Sequence, residues 1–163
     1  MAKNRLPKKE ELVENELTSK NFQNIISGLS ERKSKKLSGF KTIFIDCKTS
    51  RTSAKMGSMD FINNASSTSS AEAYGIMDLG STLLLSSFKQ GKRFAHDNVK
   101  FNFNLNSAVS ITRNDDYEAK RLEAVNEFSN RLAGYSKLPA VKIAELINSN
   151  ATLDYKAGLE AGF

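Results

Sequence analysis

The stretch Asn98-Val99-Lys100-Phe101-Asn102-Phe103-Asn104-Leu105-Asn106 alternates polar and apolar residues without a break. Successive side chains of a strand point to opposite faces. The pattern therefore predicts a strand with Val99, Phe101, Phe103 and Leu105 on one face and Lys100, Asn102, Asn104 and Asn106 on the other. So one-sided a strand needs a layer of other elements over its apolar face. The chain that follows supplies candidates at helical period. Asn114-Asp115-Asp116 stands before Tyr117, Leu122, Val125, Phe128 and Leu132, which predicts a long capped helix ending at Gly134. Pro139 opens a second helix with the stripe Val141, Ile143, Ala144, Leu146 and Ile147, and Asp154 caps a last short helix that ends in Ala161-Gly162-Phe163.

Upstream, Lys41 to Asp46 (KTIFID) reads as a buried strand, and residues 47–58 as a polar loop leading into a helix that includes Met59, Phe61 and Ile62. Residues 63–73 form a Ser/Asn-rich connection or a weak strand, and Leu83 to Ser87 the buried part of a helix. Pro7, the acids Glu10, Glu11 and Glu14, and an intermittent apolar face from Leu12 to Leu29 predict one broken helix or two short ones across 7–37, jointed near Thr18-Ser19. Helices alternating with short strands make the fold class mixed α/β.

At 163 residues the chain is long enough for one good core without staples. No apolar run approaches a membrane span, and the charged N-terminus lacks the apolar stretch of a secretory signal, so a cytoplasmic location is expected. A single cysteine, Cys47, excludes an intramolecular disulfide framework. The net charge of +6 is concentrated at Arg32, Lys33, Lys35 and Lys36. That run is either a patch for an acidic partner or a solvated helix end stopped by Gly39. Aromatic residues do not interleave with it, which argues against nucleic acid as the partner.

Chemistry-bearing residues are few. His96 is the lone histidine, so any serine–histidine mechanism must use it, with Ser81 after Gly80 as the most suggestive hydroxyl. One histidine and one distant cysteine give no metal-ligand pair, so no metal site is expected. No phosphate-binding glycine loop occurs, and no cofactor is expected. Asp115, Asp116 and Glu118 are explained by a helix N-terminus.

Gly75, then Gly80-Ser81-Thr82-Leu83-Leu84-Leu85, then Gly91-Lys92-Arg93-Phe94-Ala95 with Asn98 soon after, resembles the stretch of the Clp protease proteolytic subunit that carries its nucleophilic serine at a helix N-terminus. Phe44-Ile45-Asp46, Asp60, the alternating strand to Asn104, the helix 115–133 with Ala133-Gly134, and Leu153 to Phe163 fall into step with it. The resemblance covers residues 40–163. It implies a ClpP/crotonase-like spiral of short ββα units with a long handle helix, preceded by a basic helical extension over 1–39.

The resemblance also assigns positions to the family's catalytic groups, and this chain departs at each. The nucleophile position falls on Leu79 without a gap, or on Asp78 with a one-residue gap. The histidine position falls on Asn104, whose amide does not titrate usefully near neutral pH. The aspartate position falls on Leu146, beside Glu145. The oxyanion loop, Gly-Gly in the family, reads Lys48-Thr49-Ser50-Arg51. Losing nucleophile or base alone costs serine hydrolases on the order of 10⁶ in turnover, so the resemblance implies a non-catalytic member. Its implied partners are further copies of itself in a ring, an active Clp proteolytic subunit in mixed assembly, and an ATP-driven unfoldase. The Asn/Ser/Lys-rich composition suits a phage-encoded version. Two alternatives stand beside this reading: an active peptidase rewired to Ser81 and His96, and a structural or binding module that kept only the scaffold.

Overall fold

A computed structural model describes residues 11–16, 41–48, 69–73, 75–109 and 111–163, with side chains described from Ser70 onward. Two small sheets share one core. The first has the order β1-β2-β3-β5, formed by β1 (Glu11–Glu16), β2 (Lys41–Lys48), β3 (Ser69–Ala73) and β5 (Arg93–Ala95), all parallel. The second has the order β4-β6-β7, formed by β4 (Ile76–Met77), β6 (Lys100–Asn102) and β7 (Thr152–Asp154). There β4 runs parallel to β6, and β7 antiparallel to it.

Between the sheets lies helix α1 (Leu79–Ser87), whose residues are all buried. It packs against β2 and β3 of the first sheet, β4 and β6 of the second, and a long helix described below. A helix surrounded on every side cannot be amphipathic. Its sequence, LGSTLLLSS, answers with leucines and small residues all round. The Thr82 and Ser87 hydroxyls donate to the carbonyls of Asp78 and Leu84, so burial leaves neither unsatisfied.

The alternating stretch buries the face expected of it: Val99, Phe101, Phe103 and Leu105 are at most 5% exposed. As a strand it is shorter than the pattern. The ladder ends at Asn102, and Asn104 becomes the N-cap of a short helix, α2 (Leu105–Ala108). The cause is local. Asn102 Oδ1 accepts the Asn104 N–H at 3.0 Å and Asn104 Oδ1 the Asn106 N–H at 2.9 Å, so side chains take backbone donors that a ladder would need.

Helix α3 (Tyr117–Tyr135) carries Val125, Phe128 and Leu132 into the core. It runs one residue past Gly134, and the Ser136 N–H closes it onto the Leu132 carbonyl at 2.9 Å. Helix α4 (Ala140–Asn148) starts behind Pro139 as expected, but its buried stripe narrows to Ile143 and Ile147, and Val141 is 64% exposed. Helix α5 (Tyr155–Ala161) is capped by Asp154, whose Oδ1 accepts the Ala157 N–H at 2.8 Å. Phe163 then packs on the rings of Phe101 and Phe103, with centroids 5.9 and 5.5 Å apart.

The N-terminal reading needs correction. Residues 11–16, assigned to a helix, form β1, in parallel register with β2 from Glu11 opposite Ile43 to Glu16 opposite Lys48. Parallel pairing with β2, distant along the same chain, overrides the local helical pattern here. Ser69–Ala73 takes the strand option of the Ser/Asn-rich stretch. The expected helices over 17–37 and 59–62 and the loop beyond Lys48 lie outside the described residues.

Candidate functional site

The β4–α1 turn is where the fold concentrates polar groups beside a cavity. After Met77 the chain bends at Asp78 (φ −78°, ψ 177°) and enters α1. The Asp78 carboxylate is buried, and Oδ1 accepts the Ser81 N–H at 2.8 Å. Its carbonyl accepts the Thr82 N–H at 2.8 Å. A carboxylate so placed satisfies an otherwise orphaned amide and complements the positive end of the helix.

Across from this turn stands the polar face of the alternating segment. A cavity of about 420 Å³ opens between them, lined by Ile76, Asp78, Asn102, Asn104, Asn106 and Ser107. The Ser107 hydroxyl donates to the Asn104 carbonyl at 2.6 Å, which fixes the floor of the α2 turn.

Of the residues singled out in the sequence, the fold brings Asp78 and Asn104 to this one cavity. Leu79, the ungapped alternative to Asp78, is turned into the core and fully buried. Leu146 is half-buried and lines a different cavity, of about 500 Å³, together with Leu138, Leu153 and Ala157; Glu145 beside it pairs with Lys142 at 2.8 Å. Ser81 is completely buried inside α1. The His96 side chain is 56% exposed, and its Nε2 stands 3.5 Å from Glu72 Oε2. Neither Ser81 nor His96 is among the residues lining the turn cavity. Lys48 closes β2, whereas Thr49, Ser50 and Arg51, and the cations Arg32, Lys33, Lys35 and Lys36, lie outside the described residues. Asp115, Asp116 and Glu118 sit at the start of α3, with Asp116 3.7 Å from Lys120. Among the described residues no group of three or more His, Cys, Asp and Glu side chains could hold a metal ion.

Sequence reasoning did not single out Ile76, Asn102, Asn106 or Ser107 as site residues. The asparagine row was nonetheless visible at period two, opposite the apolar face. What the sequence lacked was the partner across the cavity.

Arg93, from the Gly-Lys-Arg-Phe-Ala turn, sits elsewhere. Its guanidinium donates to the Ser86 and Tyr135 carbonyls, both at 2.6 Å, tying together the C-terminal ends of α1 and α3. Burial pulls its pKa below the ordinary guanidinium value. It answers two negative helix ends with one charge.

The chain folds as a mixed α/β protein of the ClpP-like kind. Its fold is similar to the crystal structure of the ClpP protease catalytic domain from Plasmodium falciparum, with a TM-score of 0.73 at 15% identity over 95% of this chain and 82% of that one. At that identity the likeness is one of fold. No family model and no curated protein matches the sequence. No helix among the described residues is long and apolar enough to cross a membrane.

Proposed function

We propose that this chain is a catalytically silent ClpP-like subunit that works by assembly, either in a ring of its own copies or mixed with an active Clp proteolytic subunit. The observation that carries this reading is the cavity at the β4–α1 turn. There Asp78, one of the two residues (with Leu79) that the family resemblance offers for the nucleophile position, and Asn104, at the position it gives to the base, both serve as helix caps. With a carboxylate at that turn the nucleophile position carries no hydroxyl, and an amide at the base position takes up no proton. Asp78 Oδ1 also takes up the Ser81 N–H at the helix N-terminus, a donor that an oxyanion would need. The ClpP-like fold supports ring formation, and an ATP-driven unfoldase, a phage origin and a cytoplasmic setting belong to the same proposal.

The decisive experiment measures particle mass by light scattering after size exclusion, alone and with an active Clp proteolytic subunit, alongside a fluorophosphonate probe. A ring-sized or co-eluting particle that takes no label is the expected result. A labelled protein whose label disappears in Ser81→Ala would replace this reading with a working hydrolase, although Ser81 is fully buried. A monomer that ignores the active subunit would remove assembly as its role.

A further inference from the structure

A second polar cavity, of about 160 Å³, lies where the last turns of α1 and α3 meet, and Ser86, Gln90, Arg93, Gly134 and Ser136 are among the residues that line it. Arg93 commits two of its five N–H groups to the Ser86 and Tyr135 carbonyls, and the other three meet no acceptor among the described residues. Ser86 is fully buried, and its Oγ likewise meets no partner among them. A native fold leaves few buried hydroxyls unpaired, and one beside a cavity calls for an occupant. Gly134 points the same way. Alanine is the better helix former in the last turn of α3, and a Cβ on Gly134 meets nothing within 4 Å among the described residues. Packing within the chain therefore does not call for the glycine, which leaves the cavity open.

Charge and size narrow the occupant. Segments 86–93 and 131–137, which wall the cavity, carry Lys89, Lys92, Arg93, Arg131 and Lys137 and no acid. The two helix ends oppose this with only about half a negative charge each. Their carbonyls are also answered within the protein: Leu85 accepts from the Phe88 N–H, Leu132 from the Ser136 N–H, and Ser86 and Tyr135 from Arg93. The balance favours an anion. The volume is room for about five waters, enough for a phosphate group and too little for the rest of a nucleotide.

We infer that this cavity binds a phosphate group, free or at the end of a small ester, with the Arg93 guanidinium and the Ser86 hydroxyl as donors. A tetrahedral dianion uses these donors and the surrounding charge more fully than a carboxylate does. The site lies at the opposite end of α1 from Asp78, roughly 13 Å along a nine-residue helix. It does not depend on whether the chain is catalytically silent. Bound phosphate ties the end of α1 more tightly to the end of α3.

The test is calorimetric titration of the full chain with inorganic phosphate, against sodium chloride at equal ionic strength. Saturable binding of one phosphate per chain is expected, with Kd at or below about 1 mM, and phosphate should raise the melting temperature where chloride does not. Ser86→Ala removes the unpaired hydroxyl and keeps the carbonyl that holds Arg93. It should melt no lower than the parent and bind about threefold or more weakly. Arg93→Lys keeps the charge but loses the planar fork, and should bind about tenfold more weakly. Lys100→Ala, which removes an exposed charge on β6 outside the cavity, should bind as the parent does. The inference is overturned by no saturable binding up to about 10 mM phosphate, which leaves the cavity to water. It is overturned equally by unchanged binding in Ser86→Ala, or by an equal loss in Lys100→Ala, which marks general charge attraction. Titration with glycerol phosphate separates the two sources: tighter binding than inorganic phosphate assigns the site to an ester, and equal or weaker binding to the free ion.

Discussion

Asp78 and Arg93 show how single side chains fix the ends of the buried helix. Asp78 holds its start, and replacing it with alanine removes a cap worth about 1 kcal/mol. The expected outcome for Asp78→Ala is a lower urea midpoint at unchanged slope. Asp78→Asn, which still offers an acceptor oxygen, should recover much of the loss. Arg93 holds the other end through two charge-assisted bonds to carbonyls of α1 and α3. Arg93→Ala should cost about 1–3 kcal/mol, because it removes two charge-assisted bonds to part-buried carbonyls at two helix ends at once. Arg93→Lys cannot span both carbonyls with its single ammonium group and should recover only part of that in a thermal melt. The capping role of Asp78 follows once the helix is seen to start at Leu79 rather than near Leu83, and its position opposite Asn104 depends on the fold alone.

At the scale of elements, a close joint lies between α5 and β6. A Cβ added to Gly158 would collide with the Phe101 ring, and Phe101 is itself fully buried under Phe163. Gly158→Ala should therefore destabilise by about 1–3 kcal/mol through overpacking. Phe101→Leu frees space at the same joint, so the alanine should cost less in the double variant. A double-mutant cycle from denaturant melts measures that coupling. Gly162 ends α5 with φ of 83°, and a Cβ there would press on Lys137 at 3.0 Å. The glycine thus serves both conformation and close approach. Elements whose signals are local followed the sequence: α4 behind Pro139, α5 behind Asp154, and the buried face from Val99 to Leu105. β1 did not, because its strand state depends on a partner some thirty residues away along the chain.

At the scale of the whole molecule, the proposal turns on faces that the single chain leaves open. Leu122 lies on the long helix α3 and is 60% exposed. If that helix joins subunits, Leu122→Arg should reduce particle mass in light scattering while leaving the melting temperature of the chain nearly unchanged, since little apolar area is buried there in the lone subunit. A full-sized particle in that variant would place the contact on another surface.

The sequence by itself determined the buried face from Val99 to Leu105, the start of α4 behind Pro139 and the Asp154 cap of α5. The expected Asn114-Asp115-Asp116 cap, by contrast, makes no side-chain capping bond at the start of α3, and Leu122 and Val141 of the expected helical stripes are exposed. Alternation at period two, helical spacing, Pro139 and Asp154 act through neighbours a few residues apart, and such interactions persist whatever surrounds them. Tertiary structure alone decided that Asp78 rather than Leu79 faces the cavity, that Asn104 stands across from it, and that Leu146 lines another cavity. It also decided that residues 11–16 form a strand. The physical reason is the same in each case: a cavity wall or a parallel strand pair is made by segments far apart in the chain, and their meeting is fixed by the packing of the whole core around α1.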